Sequence, residues 1–170
     1  MRVLLCGLFA SLLFSQAPGP QLPDIKYARR APDQPLPFSH KQHAGTNGTP
    51  CKQCHPMPDP GDFMELPATS VCMGCHTAIK TDSPHIKALT AAHAESRKIE
   101  WKPVYKIPDY VFFNHKKHNA LAGVNCESCH GPVKEREVMR REKEISMQAC
   151  MDCHRQMQAK NDCRFCHDPR

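Results

Sequence analysis

Long apolar runs are missing from this 170-residue chain after position 14, and aromatic residues make up only 6% of it, with a single tryptophan. The length suits one domain of ordinary size. With so little apolar material, that domain would struggle to build a core from side chains alone. The chain also lacks a Cys-x-x-Cys-Lys motif and any serine, cysteine or carboxylate constellation that would mark a catalytic site. It has sixteen prolines and little material for regular strand. Something other than side chains must fill the interior.

What the chain has is cysteine, eleven residues of it. Cys6 lies in an apolar run at residues 3–14, behind Arg2 and ahead of the small residues Ser15 and Ala17. That is the pattern of an export signal. The run is shorter than the roughly 20 residues that span a membrane. Residues 1–17 therefore read as a signal peptide, with an uncleaved anchor as the alternative, and the protein reads as exported to a bacterial periplasm. Cys6 leaves with the signal.

The other ten cysteines form five Cys-x-x-Cys pairs, each followed by His: Cys51, Cys54 and His55; Cys72, Cys75 and His76; Cys126, Cys129 and His130; Cys150, Cys153 and His154; Cys163, Cys166 and His167. This is the attachment signature of c-type haem. Two thioethers hold one edge of the porphyrin and the next residue offers its imidazole to the iron. Disulfides or zinc could use the cysteines, but neither demands a His after every pair. With His at about one residue in fifteen, five chance successes in five are on the order of one in a million. The reading is five covalently bound haems and no other metal.

One haem per roughly 30 residues makes the macrocycles the core. The expected fold class is mostly irregular and α-helical with little or no strand, short helices wrapped around five covalently bound haems. Short helices should follow many of the attachment turns, and residues 134–143 (KEREVMRREK) read as an exposed polar helix. Without cofactor the chain should be largely unfolded, because cofactor burial offsets chain entropy.

Each iron needs a second axial ligand, and that ligand decides what the haem does. FSHKQH with its following CKQCH and FNHKKH with its following CESCH repeat one spacing without a gap. In both, the first His lies eleven residues before the first Cys and the second lies eight before. On a helical turn, residues three apart share a face yet diverge by about 60°. One His of each pair, His40 with His43 and His115 with His118, can then cap the haem just downstream while the other reaches a neighbouring haem. For the fifth distal position Met147 is favoured, with His93 as the alternative. A thioether there would raise that haem's potential.

The repeat organises the chain. A Pro-rich segment at 18–37 precedes a two-haem module at 38–76, a connector at 77–112, a second two-haem module at 113–154 and a fifth-haem segment at 155–170. Pro103 and Pro108 argue for extended chain in the connector rather than long helix.

The F-x-H-x-x-H…C-x-x-C-H units resemble the class III multihaem cytochromes. IEWKPVYKIPDYVFFNHKKH, followed by NCESCHG and ISMQACMDCHR, resembles the pentahaem cytochrome subunit of alternative complex III and related quinol-oxidising membrane complexes. The resemblance implies bis-histidine haems on the periplasmic side. It also implies two partner subunits: an iron–sulfur protein related to molybdopterin oxidoreductases, and a polytopic quinol-binding membrane protein. Residues 101–110 would then line haem faces or a subunit contact.

A formal charge of +6 invites a nucleic-acid partner. Ten propionates, about −10, against five ferric centres, about +5, remove that invitation. Lys41, Lys116 and Lys117 are candidate propionate partners. If every iron has two protein ligands, no substrate binds and the protein passes electrons, within a quinol-oxidising complex or as a soluble carrier among other periplasmic cytochromes. The competing class is a reductase of nitrite or hydroxylamine type, with one open iron.

Overall fold

The computed structural model describes residues 19–27 and 29–167; the expected export signal at residues 1–17 lies outside them. Among the described residues there are six short α-helices: α1 (Cys51–Cys54), α2 (Thr69–His76), α3 (Pro84–Ala94), α4 (Glu127–His130), α5 (Met147–Gln156) and α6 (Cys163–His167). Two π-helical turns (Lys41–Thr46 and Lys116–Leu121) and one 3-10 turn (Val133–Glu135) complete the regular structure. Among the described residues, extended chain pairs only in one isolated antiparallel bridge, Asp24 with Lys143. The architecture is helical and irregular, the fold class read from the sequence.

The helices do not follow the attachment motifs; they contain them. Helical geometry brings residues i, i+3 and i+4 to one face. Cys51, Cys54 and His55, and their counterparts, thus meet on one side of a turn.

Two expectations of helix fail. Residues 134–143 form no helix beyond the 3-10 turn. Arg136 donates from Nε and Nη2 to the two Glu142 carboxylate oxygens at 2.6 and 2.9 Å. The Tyr105 hydroxyl accepts the backbone N–H groups of Glu142 and Lys143 at 3.0 and 3.2 Å. Ile25 N–H and Glu144 N–H then exchange bonds with Glu142 and Pro23 carbonyls. These long-range partners hold the segment extended, a tertiary override of helix propensity. The connector errs the other way. It holds the longest helix, α3, which starts with Pro84 where a missing N–H costs nothing. Pro103 and Pro108 do keep the remainder of the connector extended.

Side chains alone make little core. Leu22, Met73, Leu89, Ala92 and Ala149 are the buried apolar residues, and none of the described side chains is both large and fully buried. Met73 of α2 and Leu89 with Ala92 of α3 are buried where these two helices pack. No helix among the described residues is long and apolar enough to cross a membrane.

Candidate functional site

Each His pair sits on a π-helical turn built the same way twice. Ser39 Oγ accepts the Gln42 N–H at 2.9 Å, and Asn114 Oδ1 accepts the Lys117 N–H at 2.8 Å. The wide turn then closes through Asn47 N–H to the Gln42 carbonyl and Ala122 N–H to the Lys117 carbonyl, both 3.0 Å. Phe38 meets His40 edge-on at 4.9 Å and stacks on His43 at 4.4 Å; Phe113 does the same to His115 at 4.7 Å and His118 at 4.4 Å. One phenyl ring fixes the planes of two imidazoles. No role was read for these phenylalanines, although each repeats two residues ahead of its first His.

The imidazoles meet in the combination expected from the spacing. His40 faces His55 with ring centroids 6.4 Å apart and planes 6° from parallel. His43 faces His76 at 6.2 Å, and His118 faces His154 at 6.0 Å. His115 and His130 are electrostatic neighbours. Two ring nitrogens on a shared metal, at about 2.0 Å per bond and with centroids about 1.1 Å behind them, put the centroids about 6.2 Å apart. The separations leave room for one iron between each pair.

The second ring nitrogen is committed elsewhere. Nδ1 of His55 bonds the Glu65 carbonyl at 2.9 Å, that of His76 the Ile79 carbonyl at 2.9 Å, and that of His154 the Lys160 carbonyl at 2.6 Å. His43, His115 and His118 bond the carbonyls of Ser39, Asp62 and Asn114, each at 2.8 Å. A carbonyl can only accept, so Nδ1 carries the proton and Nε2 keeps its lone pair for metal, as outer-shell partners of ligating histidines do. His40 differs: its Nδ1 is buried with no partner.

Burial favours the neutral form of three of the rings. Burial, then His55 and His43, pulls His40 down to about 4. Burial, then His115 and His55, pulls His130 down to about 4. Burial also lowers His118. Among the described residues no two cysteines form a disulfide. Burial raises Cys54, Cys72, Cys126, Cys150 and Cys153, and takes Cys129 up to about 11. Among the described residues, no group of three or more His, Cys, Asp or Glu gathers to hold a bare metal ion.

The remaining candidates stand apart. His167 is exposed; its Nδ1 bonds the Tyr110 carbonyl at 3.1 Å and its ring lies 6.0 Å from that of Tyr110. Met147 is the first residue of α5, 68% exposed. His93 is exposed on α3, with Nδ1 3.1 Å from the Thr69 hydroxyl at the start of α2. Trp101 lies edge-on to Phe38 at 6.4 Å and Tyr105 edge-on to His130 at 4.8 Å. The aromatic residues of 101–110 thus lie beside motif histidines or their phenylalanine wedge. Lys41 pairs with Glu137 at 3.8 Å and Lys116 with Asp59 at 2.6 Å.

Comparison with known proteins covers the chain in two parts. The class III cytochrome C family model matches residues 21–102, and the model for cytochrome c7 and related cytochrome c matches residues 111–168. The menaquinone reductase multiheme cytochrome c subunit of Nitratidesulfovibrio vulgaris is 35% identical over 133 residues, 78% of this chain and 59% of that protein. The chain therefore spans about three fifths of the length of this curated relative. Covalent c-type haem fits the residues present, with two thiols and an imidazole on one face of each motif and a second imidazole across from those of the first, second and fourth. Two family models, one over each half of the chain, agree with the motifs and the imidazole geometry on the fold class, that of the class III multihaem c-type cytochromes.

Proposed function

We propose that the protein carries five haems and serves as the haem subunit of a membrane complex that exchanges electrons with the quinone pool. The observation that carries the haem reading is the set of imidazole pairs at 6.0–6.4 Å, each joining a motif His to a His of the repeated turns. Bound haem supplies reversible one-electron chemistry at iron. The chain's part is to hold and orient it. His55, His76, His130, His154 and His167 are the proximal ligands. His40, His43, His115 and His118 are the distal ligands of the first four sites, crossed so that each turn ties two sites together.

Met147 is the proposed distal ligand of the fifth site. It shares the face of α5 with Cys150 and His154, and Cys150 neighbours Cys166 of the fifth motif. His93 is held at the start of α2 instead, beside the second motif. With both axial positions filled, no iron is open to substrate, which favours electron transfer over a nitrite or hydroxylamine reductase.

The complex rests on similarity to a menaquinone reductase subunit and on the resemblance to the alternative complex III subunit. The partners would be an iron–sulfur, molybdopterin-oxidoreductase-like subunit and a polytopic quinone-binding subunit. The relative's name, menaquinone reductase, favours electron delivery to menaquinone over quinol oxidation. A periplasmic site follows from the export pattern at residues 1–17.

Pyridine haemochrome and intact mass of the native protein should return five haems. Low-temperature EPR of the oxidised form should show low-spin signals only, and the reduced form should not bind carbon monoxide. A high-spin signal that carbon monoxide shifts on reduction would revive the reductase. Purification from membranes should bring a polytopic quinone-binding subunit along; recovery from the soluble periplasmic fraction alone would make the protein a free carrier.

A further inference from the structure

The two halves of the repeat dock on each other reciprocally. Lys41 N–H donates to the Arg136 carbonyl at 2.9 Å, and Lys116 N–H donates to the Gly61 carbonyl at 3.1 Å. Lys41 and Lys116 are equivalent in the repeat, 75 residues apart, and so are Gly61 and Arg136. Each π-helical turn therefore rests on the loop that follows the other half's first attachment motif. The fit is close: a Cβ on Gly45 would run into the Lys134 carbonyl oxygen, and one on Gly61 into the Lys116 side chain. His115 Nδ1 to the Asp62 carbonyl, 2.8 Å, and Asn114 to the Asp62 carboxylate, 2.6 Å, add to the second contact.

A contact in which residue i meets j and j meets i is the signature of a two-fold relation. Equivalent residues should then meet their own counterparts on the axis, and they do. Cys51 and Cys126, equivalent positions, lie beside each other. His55 and His130, also equivalent, are electrostatic neighbours.

We infer that the halves form an internal pseudo-dimer whose axis runs between the first and third attachment motifs. Spatial order then differs from chain order. Cys54 neighbours Cys72 and Cys75 of the second motif. Cys129 neighbours Cys150 and Cys153 of the fourth, and Cys150 neighbours Cys166 of the fifth. The five sites run second, first, third, fourth, fifth. Electrons cross between the halves where Cys51 meets Cys126, one site being oxidised as the other is reduced. The ends open to partners are the α2–α3 end and the α6 end.

This inference rests on the five-haem reading. The test is proton NMR of the fully reduced holoprotein labelled at cysteine, read as nuclear Overhauser contacts between thioether protons of different motifs. Contacts between Cys51 and Cys126 signals, with none from Cys72 or Cys75 to the third motif, are expected. Contacts from the second motif to the third, or no contact between Cys51 and Cys126, would overturn the order. A haem count other than five in the same sample would instead sink the functional reading.

Discussion

His40 and His55 face each other across 6.4 Å with planes 6° apart, although fifteen positions separate them in the chain. His40 reaches that place from its π-helical turn with Phe38 against its edge. His40→Ala removes the imidazole opposite His55 without disturbing a hydrogen bond, because Nδ1 of His40 has no partner. The variant should keep its haems, gain a high-spin EPR signal and bind one carbon monoxide per chain when reduced. Wild-type spectra in the variant would show that His40 is not a ligand.

Met147 carries the parallel prediction for the fifth site. Met147→Leu keeps the apolar volume at the head of α5 and removes the thioether. One equivalent of carbon monoxide should bind to the reduced variant, and the highest-potential step of the redox titration should disappear or move. His93→Gln should change neither reading.

Gly45 is held by its neighbour more than by its backbone. A methyl there meets a main-chain oxygen of residue 134, which cannot swing aside. Gly45→Ala should cost about 1–3 kcal/mol, the usual penalty of overpacking, seen as a lower Tm of the holoprotein. The equivalent position in the second half is Ala120, so the two halves do not tolerate the same side chain.

Arg136 beside Glu142 holds that carboxyl below its usual range of 4.5. A depressed carboxyl stabilises the fold above its unfolded value, and that stabilisation is lost as pH falls through the folded one. Glu142→Gln should therefore cost about 1–2 kcal/mol at pH 7, the value for a part-exposed charged hydrogen bond. The deficit should close as pH falls below 4.5. Thermal melts of both proteins between pH 7 and pH 3 measure it; a deficit constant with pH would refute the ion pair's role.

Tyr105→Phe keeps the ring against His130 and removes the hydroxyl that accepts two backbone N–H groups. Both donors then lose a partner at a part-buried place. A loss of about 1–3 kcal/mol follows, with faster hydrogen exchange at Glu142 and Lys143.

Chemistry was legible from residue identity and spacing because both are local. The five attachment motifs need only a turn of helix to bring two thiols and an imidazole to one face. The eleven- and eight-residue spacings already imply paired imidazoles on one turn. The structure pairs them as that spacing suggests, through wide π turns wedged by Phe38 and Phe113. Segment 134–143 misled because its charges suit a helix, while its partners, Tyr105 and the chain around Pro23, lie far off in sequence. Contacts of that kind leave no periodic trace. The same reason hides the reciprocal docking of Lys41 on Arg136 and Lys116 on Gly61. The amino-acid sequence determined by itself the five haem-attachment motifs and the repeated histidine pairs that precede two of them. Only the tertiary structure decided which motifs are neighbours, because adjacency between 51 and 126 is set by packing of two repeats, and a repeat can be read without knowing how its copies embrace.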